Sequence, residues 1–451
     1  MNILLVRPRP DPRTINLQSF MICEPLELEY LAAFLEPFGH RVHILDMILE
    51  KEPLRRFLEE LRPDLVGFTG YLPHINVIKG LAAEVKSFSQ EIITVVGGVH
   101  AEVRPEDFQD KTIDHVTGKN GMEQLKSIAA RGPLPETLAS SGEVLPETLA
   151  SFNFPFPDRE KTARYRKNYN YIFHERCATL KTSFGCPFSC QFCFCARITD
   201  GRYFCRDLNS VMEELAQIEE KNIFIVDDNF LFNKQRVEDF CHELRKRGIK
   251  KSFILFGRTD FIADNPGTMK LLKSVGLSAV FIGLESFKQN ELENFNKHTT
   301  VEINLRAVRV LEDTNILTYC GIMVGQDWDR ADFDGLITYL NGLKYPLVNI
   351  QPVTPIPGTP FHESVRSDLT VGLDRCEIWD MAHVLLKPTK MTEKEYYRNI
   401  LRVYQKTSLR PRVPVMVWRR FGLKACLRAA KGAFSIYRQY RELIRKGCVF
   451  Q

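Results

Sequence analysis

Short unbroken runs of Val, Ile, Leu and Phe alternate with longer amphipathic segments along most of this chain, and that rhythm leaves few folds open. A strand apolar on both faces needs cover on both, which a parallel sheet beneath two layers of helices provides. The pattern predicts strands over residues 2–6, 40–46, 65–68 and 92–96, with helices over 26–35, 54–61 and 75–88 between them. It returns as strands at 178–183, 223–226, 253–256, 279–283, 320–324 and 347–350, with a helix at 210–219. In this second stretch polar or small residues follow the apolar runs: Asp227, Asp228 and Asn229, then Arg258 and Asp260, Glu285 and Ser286, Gly325, and Gln351. Residues at the carboxyl ends of β/α-barrel strands meet over one cavity.

With 451 residues, 44% hydrophobic and 26% charged, the chain can build a large core and is expected to divide into roughly two or three units. Its 61 Lys and Arg against 56 Asp and Glu leave a net charge of +5, too thinly spread to mark a nucleic-acid protein. The opening MNILLVRP reads as a strand rather than an export signal, and no apolar run is long enough for a spanning helix. A cytoplasmic location is the expectation, so the 12 cysteines point first to metal ligands or reactive thiols.

Gly67, Thr69, Gly70 and Tyr71 crowd the end of the third strand, and Gly97, Gly98 and His100 follow the fourth. Ligands approach an open α/β sheet along that edge, where glycine lets backbone come close to them; plain turns are the alternative reading. No G-x-G-x-x-G opens the chain, which argues against a dinucleotide. The order MNILLVRP, LEYLAAFLEPFGHRVHILD, PDLVGFTG, VVGGVHAE and IDHVTGKNG resembles a cobalamin-binding domain over about residues 1–128. The resemblance implies a Rossmann-like unit at 1–130 that binds cobalamin through Thr69, Gly70, Tyr71, Leu72, Gly97, Gly98, His100 and Gly118. The D-x-H-x-x-G signature of a lower-face histidine is missing, and Gly118-Lys119-Asn120-Gly121 stands where relatives carry an acidic turn. Tyr71, Leu72 and His74 are nearest the lower face, with His74 expected as a surface or helix-start residue rather than a cobalt ligand.

Cys186-Pro-Phe-Ser-Cys190-Gln-Phe-Cys193 brings three thiols onto one loop. A closed zinc site wants four ligands, for which Cys177, Cys195 and Cys205 are near; three cysteines on a four-iron cluster leave one iron open to a small molecule. This spacing, with Phe192 before the last cysteine, matches the radical S-adenosylmethionine (SAM) superfamily. The match implies that Cys186, Cys190 and Cys193 hold a [4Fe-4S] cluster whose fourth iron is chelated by SAM. Reductive cleavage of SAM would then give an adenosyl radical, which the protein must orient and shield from water. It also implies a partial (β/α)6 barrel, with Glu285 of VFIGLES beside SAM and Gly321 and Gly325 of CGIMVG near its adenine or methionyl part. Arg258 and Arg306 are its candidate anion partners. Asp227 reads either as a helix cap or as a pocket residue, and Arg258 either as a partner of Asp260 or as a cofactor contact.

Residues 131–170 form the expected linker, with LPETLAS at 134–140 and again at 145–151, and Phe152, Phe154 and Phe156 available to pin it. The barrel is expected over 171–365 and a mainly helical region over 366–451. Thr354-Pro-Ile-Pro-Gly-Thr-Pro360 resembles a run found after the last barrel strands of cobalamin-dependent members, and reads as a stiff closing loop as readily as a substrate contact. Near Trp379 and Asp380, His383 reads as a substrate contact or, the preferred expectation, as a packing residue. Over 418–446, Phe421, Leu423, Leu427, Phe434, Ile436, Tyr440 and Ile444 are expected on one helix face among basic residues. Such a helix suits either an anionic membrane surface or packing across the barrel.

Nearly the whole chain resembles class B, cobalamin-dependent radical SAM enzymes. The resemblance implies methyl transfer to a weakly activated carbon, with a lipid or isoprenoid substrate preferred and a flavodoxin or ferredoxin-type reductant as partner. The rival is ring formation or oxidative rearrangement, as in the related anaerobic Mg-protoporphyrin monomethyl ester cyclases. A corrinoid-binding sensor whose iron-sulfur cluster is structural is the non-enzymatic alternative.

Overall fold

A computed structural model describes residues 1–132 and 154–446. The LPETLAS repeat and Phe152 lie outside the described residues. The first sheet has five parallel strands in the spatial order Arg41–Asp46, Asn2–Arg7, Leu65–Thr69, Ile93–Gly97, His115–Val116. In chain order that is 2-1-3-4-5, a doubly wound arrangement whose switch point lies between the first and third strands. The fifth strand, absent from the sequence expectation, is two residues long and carries no periodicity of its own.

The second sheet has six parallel strands in the order Leu347–Pro352, Leu317–Val324, Leu277–Glu285, Ser252–Gly257, Asn222–Ile225, Cys177–Leu180. Among the described residues both end strands are unpaired on their outer edges, so the barrel is partial. The first strand stops earlier than expected, because Ser183–Phe184 leaves it to pair antiparallel with Phe204–Cys205 and thereby clasps the cysteine loop at both ends. Helices pack outside the barrel through one core that includes Leu215, Phe240, Leu272, Leu311 and Leu336.

The chain after the undescribed segment ties the two sheets together. Arg159 pairs with Glu24, on the first unit, and at 2.9 Å with Glu214 on a barrel helix; Arg206 joins Glu214 at 2.5 Å. Phe154 packs against Tyr30 and Phe184, as the pinning role expects.

The C-terminal helix Arg412–Lys446 breaks at Gly422, where φ is +80°. Met416, Val417 and Ala425 close the base of the barrel with Tyr171, Phe173 and Tyr319. The single apolar face expected for this helix is corrected here. Phe421, Ile436, Tyr440 and Ile444 pack inward, while Leu423, Leu427 and Phe434 face outward. No helix among the described residues is long and apolar enough to cross a membrane.

Candidate functional site

The cysteine loop begins with a backbone constraint. Gly185 has φ of +82°, and a Cβ there would lie 2.1 Å from the Arg202 carbonyl, so only glycine admits this close turn. Its N–H donates to Asp228 at 2.9 Å, and Asp228 also takes the Lys181 ammonium at 3.1 Å. Asp227, fully buried beneath the loop, accepts from the Thr182 N–H at 2.6 Å and from the hydroxyls of Thr182 and Ser183. Asp227 therefore sets the path into the loop, and its oxygens are occupied by that task. Further on, the Gln191 N–H donates to the Phe295 carbonyl and the Phe361 N–H to the Gln191 carbonyl, each at 3.0 Å. Phe192 meets Phe295 edge-on at 5.6 Å.

Cys186, Cys190 and Cys193 are half-buried on this loop. A hydrogen bond from Cys195 holds the Cys193 thiol down to about 7, while burial pushes those of Cys186 and Cys190 up. Two cations attend them. Arg258 lies 3.8 Å from the Cys190 sulfur and 3.6 Å above the Phe188 ring, while paired with Asp260 at 2.8 Å. Lys297, buried, pairs with Glu285 at 2.6 Å, and its carbonyl accepts from Arg258 at 2.8 Å. Burial alone would lower the Lys297 ammonium; Glu285 and then Cys190 outweigh it, and the net shift is upward. Gly283 makes room for this pair, since a Cβ there would stand 2.0 Å from the Glu285 carboxylate. Sequence reasoning missed Lys297, which reaches Glu285 only through the turn that follows the helix Gln289–Asn294.

Below the loop the inner barrel wall is aromatic. Phe256, 37% exposed, stands between Phe224 and Phe281 at 5.2 and 5.5 Å, so the chamber floor is an accessible apolar surface. Gly321 leaves space above Phe281, whose ring would be 3.2 Å from a Cβ. Gly325 is closed in by Trp328, and its carbonyl accepts from Tyr396 at 3.0 Å.

Facing the loop is the edge of the first sheet. A Cβ on Gly97 would meet Thr117 at 2.7 Å; one on Gly98, where φ is +100°, would meet Thr69 at 2.8 Å and the Gly70 backbone nitrogen at 3.2 Å. Two neighbouring strands thus end in bare backbone. Tyr71 is 59% exposed beside it. The helix Val99–Val103, which starts at this edge, also holds Glu102, where burial pushes the carboxyl up to about 7 against the pull of Lys119 and of Lys181 across the gap. The same helix contacts Cys195–Ile198 just beyond the cluster loop, and Gly358 of the proline-rich run abuts Val103. That run therefore bridges the barrel to the first sheet.

Three expected cofactor residues are corrected. Arg306 sits on the outer surface, paired with Asp264 at 2.5 Å; helical spacing placed it on the right helix but not on an inward face. His100 turns away to hydrogen-bond Asp107 at 2.9 Å and to pack on Phe108. Leu72 is buried in the core of the first unit. Gly118 lies beyond the fifth strand, its N–H donating to Gln124 at 3.1 Å, with open space where a Cβ would stand. His74 accepts at Nδ1 from the Tyr71 N–H at 3.1 Å, which leaves the proton of the neutral ring on Nε2; burial holds its pKa down to about 4. A neutral ring in that tautomer offers no free lone pair to cobalt. His383 bonds Asp380 at 2.8 Å and is a packing residue.

Three half-buried thiols on an anchored loop with cations at hand fit a cluster, and the bare glycine edge fits a large planar ligand. Among the described residues, no group of three or more His, Cys, Asp or Glu closes around a single metal ion.

Comparison with known proteins agrees with this geometry. The model of the B12 binding domain matches residues 12–126, and that of the radical SAM superfamily matches 180–340. The hopanoid C-3 methylase of Methylococcus capsulatus is 29% identical over 419 residues, covering 90% of this chain and 80% of that protein. An anaerobic magnesium-protoporphyrin IX monomethyl ester cyclase of Cereibacter sphaeroides is 24% identical over 442 residues, covering 90% and 71%. The solved structure of the cobalamin-dependent SAM radical enzyme OxsB, with aqua-cobalamin and SAM bound, superposes with a TM-score of 0.69 at 15% identity, covering 99% of this chain and 80% of that one. The chain belongs to the cobalamin-binding radical SAM proteins. Within them it is an enzyme acting on carbon, related to the Mg-protoporphyrin cyclases and the radical methylases, with SAM, cobalamin and, by its family, a [4Fe-4S] cluster as cofactors.

The glycine edge makes a direct prediction. Gly98→Ala forces a side chain into the left-handed region and against Thr69 and Gly70, a strain of about 1–3 kcal/mol. Cobalamin affinity, measured by titration of absorbance, is expected to fall about tenfold or more, while Gly80→Ala, where nothing lies within 4 Å, leaves it unchanged.

Proposed function

We propose that this chain removes a hydrogen atom from an unactivated carbon of a largely apolar substrate and directs the resulting carbon radical into ring closure or oxidative rearrangement. The observation that carries this reading is the aromatic wall beneath the cysteine loop, where Phe256 lies exposed between the half-buried Phe281 and the buried Phe224. Bound together, the three cofactors supply a carbon radical and a second redox centre able to carry a methyl group. Cys186, Cys190 and Cys193 hold the cluster, and Lys297 pairs with Glu285 and orients it beside the SAM site. Arg258 supplies positive charge next to Cys190. Gly70, Gly97 and Gly98 let cobalamin approach the backbone. The bridge from Val103 to Gly358 and the helix across the barrel base keep water from the chamber. A low-potential one-electron donor of the flavodoxin or ferredoxin type completes the cycle, because cleavage of a sulfonium consumes an electron. Similarity to the cyclases over most of the chain supports rearrangement.

Methyl transfer, possible on the same framework, is the second reading, favoured by the 29% identity to the hopanoid C-3 methylase. Anaerobically reconstituted protein incubated with apolar cell extract and methyl-labelled SAM separates the two by product mass. We expect a product that has lost hydrogens or gained oxygen and carries no label. A labelled product heavier by one CH₂ unit establishes methyl transfer instead.

A further inference from the structure

We infer that the outward face of the C-terminal helix docks on an anionic lipid bilayer, with a lipid phosphate entering a basic cavity at the base of the barrel. Six of the ten large apolar side chains that are exposed among the described residues fall between Leu409 and Phe434. Val415 and Trp418 are one turn apart before the break at Gly422, and Leu423, Leu427 and Phe434 follow i, i+4, i+11 spacing after it. Their exposures run from 42% for Val415 to 66% for Phe434. The inward face of the same helix is already used against the barrel, so these residues have no core left to join. Concentrated apolar exposure of this kind marks an interaction surface.

Charge selects the partner. Between residues 407 and 446 the chain carries eleven Lys and Arg and one acidic residue, Glu442. At the start of this face lies a cavity of about 380 Å³, whose lining includes four cations, Lys273, Lys344, Arg419 and Arg420, and one carboxylate, Glu312, which accepts from the Lys344 N–H at 2.8 Å. Lys273 and Arg420 give hydrogen bonds to the carbonyls of Asn315 and Ser278 rather than to carboxylates. Burial, and then repulsion from Arg420, lower the Lys273 ammonium, as expected of a cavity suited to an anion. A second copy of so basic a face would repel this one, and four of the six exposed side chains are aliphatic and offer a nucleic acid little to stack on. A bilayer with anionic headgroups takes both features: apolar groups enter the acyl boundary and cations meet the phosphates.

Co-sedimentation of the full chain with vesicles tests this. Binding is expected to vesicles containing phosphatidylglycerol, to be weaker on phosphatidylcholine alone, and to fall as salt rises. Leu423→Glu/Leu427→Glu/Phe434→Glu, all at exposed positions, should abolish binding with unchanged circular dichroism. Lys344→Ala/Arg419→Ala should weaken it about tenfold or more. Equal binding by the triple variant, or indifference to phosphatidylglycerol, overturns the inference. So does a concentration-dependent dimer that the triple variant loses, or tighter binding to random-sequence DNA than to the vesicles.

Discussion

Replacing Cys186, Cys190 or Cys193 by Ala is expected to abolish SAM cleavage outright in each single variant while the protein keeps its fold. Each thiol lies half-buried on a loop that other contacts hold: Gln191 to Phe295, Phe361 to Gln191, and Asn296 to Ser189 at 3.0 Å. Deleting a sulfur removes a cluster ligand and little packing. Iron and sulfide content after anaerobic reconstitution, together with formation of 5′-deoxyadenosine, reads the loss. Cys320→Ala, within the barrel core, and Cys205→Ala, exposed on the antiparallel clasp, should retain both. Retention of cleavage by any of the three loop variants would show that the cluster is not held as described.

Lys297→Met should have the next largest effect. Both partners of the Lys297–Glu285 pair are about nine-tenths buried, so removing the ammonium strands a carboxylate beneath the cluster loop. Loss of one partner of a buried pair costs about 3–5 kcal/mol. The midpoint of denaturant unfolding should fall accordingly. Lys297→Met/Glu285→Gln removes both charges and should recover most of that stability. SAM affinity, measured by equilibrium binding, should stay low in the double variant, because the oriented Glu285 carboxylate is gone. Recovery of both quantities together would reduce the pair to a structural role.

Both sheets were legible because runs such as Ile3 to Val6 and Phe253 to Leu255, buried on each side, can occupy few other places. His115–Val116 was not, being too short to carry a period. Three cysteines on one loop announce their chemistry locally. Side-chain direction at a strand end is settled by neighbours that pattern does not reveal. His100 finds Asp107, Arg306 finds Asp264 and Leu72 joins the core, while Lys297 arrives at Glu285 from a turn that no spacing rule singles out. In the last helix the single expected face was a misgrouping: after Gly422, helical spacing sets Leu423, Leu427 and Phe434 on one side and Ile436, Tyr440 and Ile444 on the other.

The cysteine loop and the glycine edge of the first sheet face each other, so cluster and corrinoid are expected to occupy one chamber of the same chain at close range. Electron paramagnetic resonance of the reduced protein loaded with cob(II)alamin measures this most directly. One cluster and one cobalamin are expected to bind per chain, addition of SAM to change the cluster signal, and the two spins to show dipolar coupling. A cluster indifferent to SAM, or two centres without mutual coupling in the fully loaded protein, would contradict it.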